Sequence, residues 1–148
     1  MKGALNYEKD METIVYGLFS SCDCRYCFTD YTRSCRKQDV VYTESWCPKY
    51  ENLKTVKHWF NEWNTRGKVI IWDIKQFFHK ENQTVVEWYF KNEMNTGSVE
   101  EFDGISLIEW TEDNKIKSLK EYGCNLNNYN PYQHSDNPQF RDEKISWF

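Results

Sequence analysis

Residues Thr84 to Tyr122 constrain this chain most, because they read as three consecutive antiparallel strands joined by two turns. Val85, Val86, Trp88, Tyr89 and Phe90 are β-branched or aromatic, and such side chains fit a pleated surface. Asn95-Thr96-Gly97 breaks the run as a hairpin would, and a second strand follows from Phe102 to Trp110. Asp113 and Asn114, which tolerate positive φ, turn the chain into a third strand over Ile116 to Tyr122.

Turn positions fix which side chains share a face. With Asp113-Asn114 as the turn, Trp110 falls opposite Lys117, Ile108 opposite Leu119 and Ser106 opposite Glu121. Centring the first turn on Thr96 sets Phe90 opposite Phe102 and Trp88 opposite Gly104. One face then carries Trp88, Phe90, Gly104, Ser106, Ile108, Leu119 and Glu121, apolar apart from Ser106 and Glu121, which has the character of a pocket floor. The other face carries Tyr89, Ile105, Leu107 and Tyr122, rimmed by Glu87, Lys91, Glu109 and Lys120. That composition suits a homodimer interface.

A chain of 148 residues is expected to form one domain, burying roughly 70% of the surface its unfolded form exposes. Seven tryptophans within an aromatic content of 18% require a large core or an aromatic-lined cavity. A net charge of -4 without a Lys/Arg stripe speaks against a nucleic-acid partner. No run reaches membrane-spanning length. The N-terminus is interrupted by Glu8, Lys9, Asp10 and Glu12 and lacks the apolar stretch of an export signal, so a cytoplasmic location with reduced thiols is expected. Cys22, Cys24, Cys27, Cys35 and Cys47 lack the paired Cys-x-x-Cys spacing of a zinc ribbon, and neither a metal nor a cofactor is expected.

Ahead of the meander, Met11, Ile14, Val15, Leu18 and Phe19 recur at helical spacing, predicting a helix from Tyr7 to about Ser21. Asp23 can cap a second helix ending near Arg36. Val40-Val41-Tyr42 reads as a short strand and Glu44 to Tyr50 as an aromatic-rich loop containing Pro48. Asn52 begins a third helix, with Leu53, Val56, Phe60 and Trp63 on one stripe, ending before Gly67. Val69 to Phe78 is a fourth long strand, returning through Glu81-Asn82. Beyond Gly123 the chain turns polar and turn-rich. Helices followed by an antiparallel meander define an α+β class, with helices on one face of a curved sheet.

The order of these elements, together with VVEWYF, EEFDGISLIEW, DNKIKSLKEYG, KHWFNEWN, KVIIWDIKQFFH and the NPY at Asn130 to Tyr132, resembles the SnoaL-like branch of the nuclear transport factor 2-like superfamily. The likeness covers residues 11–132 and leaves 133–148 as a C-terminal tail. It implies a cone-shaped antiparallel sheet wrapped around N-terminal helices with a central cavity, commonly in a homodimer packed through the sheet. One reaction is not implied, since the fold carries isomerases, cyclases, dehydratases, epoxide hydrolases and non-catalytic binders. Trp88 and Phe90 stand roughly where epoxide hydrolases of this fold place an Arg and an Asp, so that mechanism is not expected.

The candidate acid or base is Glu121, whose pKa an apolar cavity would raise toward working pH. A structural role, bonded to Ser106 or solvated at the sheet's rim, is the plain alternative. Glu44 and Trp46 follow the first short strand, near the mouth of the cone in similar folds, and Trp59, Trp63, Trp72, Trp88 and Phe90 are the candidate walls. Asp73, Glu87, Asp103 and Glu109 fall on the solvent parity, and surface roles are expected for His58 and His79. Three functions fit: a pocket protein for a small, largely apolar or aromatic molecule, a cofactor-free lyase or isomerase using Glu121, and a dimeric assembly module.

Overall fold

The computed structural model of the chain describes residues 11–15, 39–45 and 47–141. Six strands form one sheet: β1 Val41–Thr43, β2 Lys49–Glu51, β3 Gly67–Lys80, β4 Gln83–Met94, β5 Val99–Trp110 and β6 Ile116–Asn125, in the order β2-β1-β6-β5-β4-β3. All neighbours are antiparallel except β1 and β6, which run parallel, with Tyr42 opposite Leu119. The parallel pair departs from the all-antiparallel expectation. It brings β1, far away in sequence, against the last strand of the meander.

The expected pairings Phe90 with Phe102, Trp88 with Gly104, Ile108 with Leu119 and Ser106 with Glu121 are all present. Trp110 pairs with Ile116 instead of Lys117, because the register shifts between Glu109 and Trp110. That irregularity keeps both Trp110 and Ile116 on the inner face, where each is essentially fully buried. The expected turns hold too, with positive φ at Glu81, Gly97 and Asn114.

Strand β3 bends over the core by the same device. Its pairing with β4 skips between Val69 and Ile71 and again between Ile74 and Gln76. Each extra residue flips the parity, so Val69, Trp72, Ile74, Phe77 and His79 all face inward along one curving strand. His79, expected at the surface, is therefore drawn in. It bonds Thr84 Oγ1 through Nδ1 at 2.9 Å and Glu12 through Nε2 at 3.2 Å. Trp110 donates to the same Thr84 hydroxyl at 2.8 Å, and this chain, buried at Trp110 and Thr84 and open to solvent at Glu12, ties residues 11–15, which are helical, to the sheet. An Nε2–H tautomer satisfies every donor in that chain.

Helix Leu53–Trp63 lies on the inner face. Asn52 caps it by accepting from the Thr55 backbone N–H at 3.1 Å, and its φ of 64° is one that Asn adopts readily. Val56 is its fully buried contact, and Trp59 and Trp63 pack at the edge of the core. The loop expected over Glu44 to Tyr50 is tighter than anticipated: Glu44 N–H bonds Pro48 O at 2.9 Å, and β2 pairs back onto β1 with Tyr50 opposite Tyr42. The second predicted helix, Asp23 to Arg36, lies outside the described residues, as does most of the first. Residues 126–141 form turns and irregular chain, and no helix among the described residues is long and apolar enough to cross a membrane.

Candidate ligand pocket

A cavity of about 350 Å³ lies between the helix and the sheet. Helix residues Trp59, Phe60 and Trp63 form one wall, with Arg66 just beyond the helix end. Trp72 of β3, Trp88, Phe90 and Met94 of β4, and Glu100 and Phe102 of β5 form the opposite wall. Tyr42, Glu44, Ser45 and Tyr50, from the β1–β2 hairpin, complete the described lining together with Glu121 of β6. Sheet curvature holds the walls apart, and large rings on both sides leave a space bounded chiefly by aromatic faces.

The sheet wall is built around Trp88. Its ring lies over Gly104, where an added Cβ would come within 2.2 Å of the indole. Glycine is thus the side-chain space into which Trp88 folds flat. The indole N–H donates to Ser106 Oγ at 2.9 Å, giving a buried tryptophan its polar partner. Trp72, Phe90 and Phe102 meet Trp88 edge-on, with centroids 5.8, 6.5 and 5.7 Å away.

Two tyrosine–glutamate pairs lie where the β1–β2 hairpin meets β6. Tyr42 donates its hydroxyl to Glu121 Oε2 at 2.8 Å. Tyr50 donates to Glu44, a carboxylate only 8% exposed. The two phenol rings stack with centroids 5.8 Å apart, and Trp59 sits 4.5 Å from the Tyr42 ring. Burial pushes the Glu121 pKa up to about 7, opposed by the Tyr42 hydrogen bond and assisted by the charge of Glu44. Glu121 keeps part of its surface, but that surface lines the cavity and bulk water does not solvate it freely. Tyr50 is pushed up to about 12 by burial and then by Glu44, so it remains a neutral donor. Arg66 is clasped by both oxygens of Glu62 at 2.7 Å, and the charge of Glu44 acts on it as well.

Of the residues singled out in the sequence, Glu44, Trp59, Trp63, Trp72, Trp88, Phe90 and Glu121 come together around this cavity. Ser106 does not: it is fully buried behind Trp88, which takes its hydroxyl, and Glu121 turns to Tyr42 although Ser106 is its cross-strand neighbour. Trp46 lies outside the described residues. Tyr42, Tyr50, Arg66, Glu100 and Phe102 were not anticipated. Phe102 and Glu100 were legible on one face of β5, opposite Phe90 and Asn92, whereas Tyr42, Tyr50 and Arg66 depend on long-range placement of β1, β2 and the chain after the helix. Cys47 and Cys124 are exposed thiols, and among the described residues no His, Cys, Asp and Glu cluster could hold a metal ion; Cys22, Cys24, Cys27 and Cys35 lie outside those residues.

A curved sheet closed by helices over an aromatic cavity defines a nuclear transport factor 2-like fold, and solved structures bear this out. A nuclear transport factor 2-like protein of unknown function from Burkholderia pseudomallei superposes with a TM-score of 0.65 at 9% identity, over 77% of this chain and 90% of that one. A candidate SnoaL-like polyketide cyclase from Mesorhizobium loti gives 0.63 at 12% identity, over 80% and 97%. A hypothetical protein of ketosteroid isomerase-like fold from Catenulispora acidiphila, in complex with trimethylamine, gives 0.61 at 10% identity, over 76% and 83%. The chain thus has the α+β cone of the SnoaL-like and ketosteroid isomerase-like proteins, and at these identities the likeness is one of fold. No protein-family model and no curated protein matches the sequence.

Proposed function

We propose that this chain is a small-molecule pocket protein, taking a largely apolar or aromatic ligand between Trp59 and Trp63 on one side and Trp72 and Phe90 on the other. The observation that carries the reading is the open space of about 350 Å³ left among these rings, a volume suited to a ligand of modest size. Had the tryptophans filled the cone, a purely structural assembly role would be favoured. A fold neighbour in complex with a small molecule adds support for ligand binding. Native mass spectrometry of protein purified without denaturation tests the reading. A stoichiometric adduct in the range of small organic molecules is expected, lost when Phe90→Arg fills the cavity with a charged chain. An adduct-free native protein that also takes up no member of an aromatic fragment set would refute it.

A second reading, a cofactor-free lyase or isomerase, is favoured by one specific observation. Glu121 titrates near neutrality beside the Tyr42 hydroxyl, so at pH 7 it is divided between acid and base forms inside an apolar cavity. Such a carboxyl could take a proton from carbon next to a carbonyl and return it elsewhere, with Tyr42 as the hydrogen-bond donor that stays with it.

The outer face of the sheet supports a homodimer. Ile105 and Tyr122 are 43% and 47% exposed there, beside half-buried Tyr89 and Leu107. Charges flank them in pairs, Lys75 with Asp103 at 2.6 Å, Lys91 with Glu101 at 3.1 Å and Lys117 with Glu109 at 2.6 Å. An apolar strip rimmed by neutralised charge fits a second copy of the same strip. Leu107→Asp is expected to halve the mass found by sedimentation. A native protein that already sediments as a monomer would remove this part of the reading. A cytoplasmic setting, in which the exposed thiols of Cys47 and Cys124 stay reduced, belongs to the same proposal.

A further inference from the structure

We infer that the ligand is an aromatic amide or lactam, its uncharged polar group seated between the Ser45 hydroxyl and Oε1 of Glu121 and its rings against Phe90 and Phe102. This rests on the pocket reading above and narrows it to a chemical class.

Where the β1–β2 hairpin meets β6, the Tyr42 hydroxyl is given to Oε2 of Glu121 and that of Tyr50 to Glu44. Oε1 of Glu121 and Oγ of Ser45 have no hydrogen-bond partner among the described residues. Both side chains line the cavity, and neither atom is sealed inside the protein. A ligand that covered them with carbon would leave two polar groups unpaired in an apolar space, and each carries a cost.

The span between the two groups limits what can join them. Gly123 faces the same side of β6 as Glu121, and a Cβ added at Gly123 would lie 3.5 Å from Ser45 Oγ and 3.7 Å from the Phe102 ring. Ser45 therefore stands two residues along from Glu121, about 7 Å of strand. A single ligand oxygen joins partners no more than about 6 Å apart. An amide reaches further, because its nitrogen and its oxygen each make one bond.

Bond polarity points the same way. Burial raises the Glu121 carboxyl to about 7, so Oε1 either accepts or donates at neutral pH, and a serine hydroxyl does either as well. When Oε1 accepts from the ligand N–H, Ser45 donates to the ligand carbonyl; when Oε1 donates to the carbonyl, Ser45 accepts from the N–H. An amide thus satisfies both groups in either state. A ketone has no N–H and an aryl amine no carbonyl, so across this span each serves one of the pair alone.

Isothermal titration calorimetry of the full chain at pH 7 tests this with three bicyclic probes of matched shape. Oxindole has the N–H and the carbonyl on adjacent atoms, 2-indanone keeps the carbonyl alone, and indane has neither. Oxindole is expected to bind about tenfold more tightly than indane, with 2-indanone between them. Ser45→Ala should lower oxindole affinity severalfold and leave that of indane unchanged. In the double variant Tyr42→Phe, Glu121→Leu, which removes the carboxyl together with its donor, oxindole affinity should likewise fall toward that of indane. Should a variant lose its native circular dichroism, the order of the three probes on the wild-type protein decides. Oxindole binding no more tightly than 2-indanone or indane, or a preference that survives either change, overturns the amide inference and leaves the pocket reading standing. Failure of all three probes to bind overturns both.

Discussion

Trp88→Ala is expected to lower the unfolding free energy by about 3–5 kcal/mol, read from urea denaturation at constant m. The indole is almost fully buried, covers Gly104, and supplies the bond that satisfies buried Ser106. Truncation therefore opens a cavity and leaves a hydroxyl without its donor. Gly104→Ala provides the companion. A methyl group there would lie 2.2–2.5 Å from three atoms of the Trp88 ring, so the ring must move off the sheet and into the ligand space. Alone, Gly104→Ala is expected to cost about 2 kcal/mol, within the range of overpacked cores. In the Trp88→Ala background the clash is gone and alanine suits a strand better than glycine, so the same change should be neutral or slightly stabilising. Additive effects of the two changes would show that Trp88 does not lie across Gly104.

The second large effect is a dependence on pH. The folded-state pKa of Glu121 is raised from 4.5 to about 7, so its contribution to stability is fully present below pH 4.5 and is lost as pH rises through 7. The separation of the two pKa values corresponds to about 3 kcal/mol. Glutamine at this position keeps an acceptor for the Tyr42 hydroxyl and does not titrate. Glu121→Gln should therefore gain on the native protein by about 3 kcal/mol between pH 4.5 and pH 8, ending more stable than it at the alkaline end. Taking the difference between the two proteins cancels the carboxylates other than Glu44, whose charge acts on Glu121 directly. A constant difference across that range would mean that Glu121 is solvated as an ordinary surface acid.

The meander was readable from the sequence because its information is local. Gly97 and Asn114 mark turns, strict alternation assigns faces, and together they place Trp88 over Gly104 and Glu121 beside Ser106. Local pattern does not report a bulge whose extra residue is itself apolar or flanked by polar neighbours. Ile70 beside Ile71, and Lys75 beside Gln76, are the two points where β3 changes parity, and missing the second left His79 on the wrong side. The site was half legible for a related reason. Its sheet wall and helix wall each follow from periodicity, but the partner of Glu121 comes from β1, 79 residues away, through a parallel pairing that no turn encodes. Cross-strand position also fails to say where a long side chain ends. Ser106 and Glu121 are paired on the backbone, yet an indole N–H claims the one and a phenol the other.

The proposed function depends on a ligand entering the aromatic space between the helix and the sheet. Intermolecular nuclear Overhauser effects locate a bound small molecule directly, with indole as a neutral aromatic probe on protein carrying labelled tryptophan and methionine. With isoleucine and tyrosine labelled as well, cross-peaks are expected from indole to the ring protons of Trp59, Trp63 and Trp72 and to the methyl group of Met94, all of which line the cavity. Contacts confined to Ile105 and Tyr122 on the outer sheet face, with none to those four residues, would contradict the account.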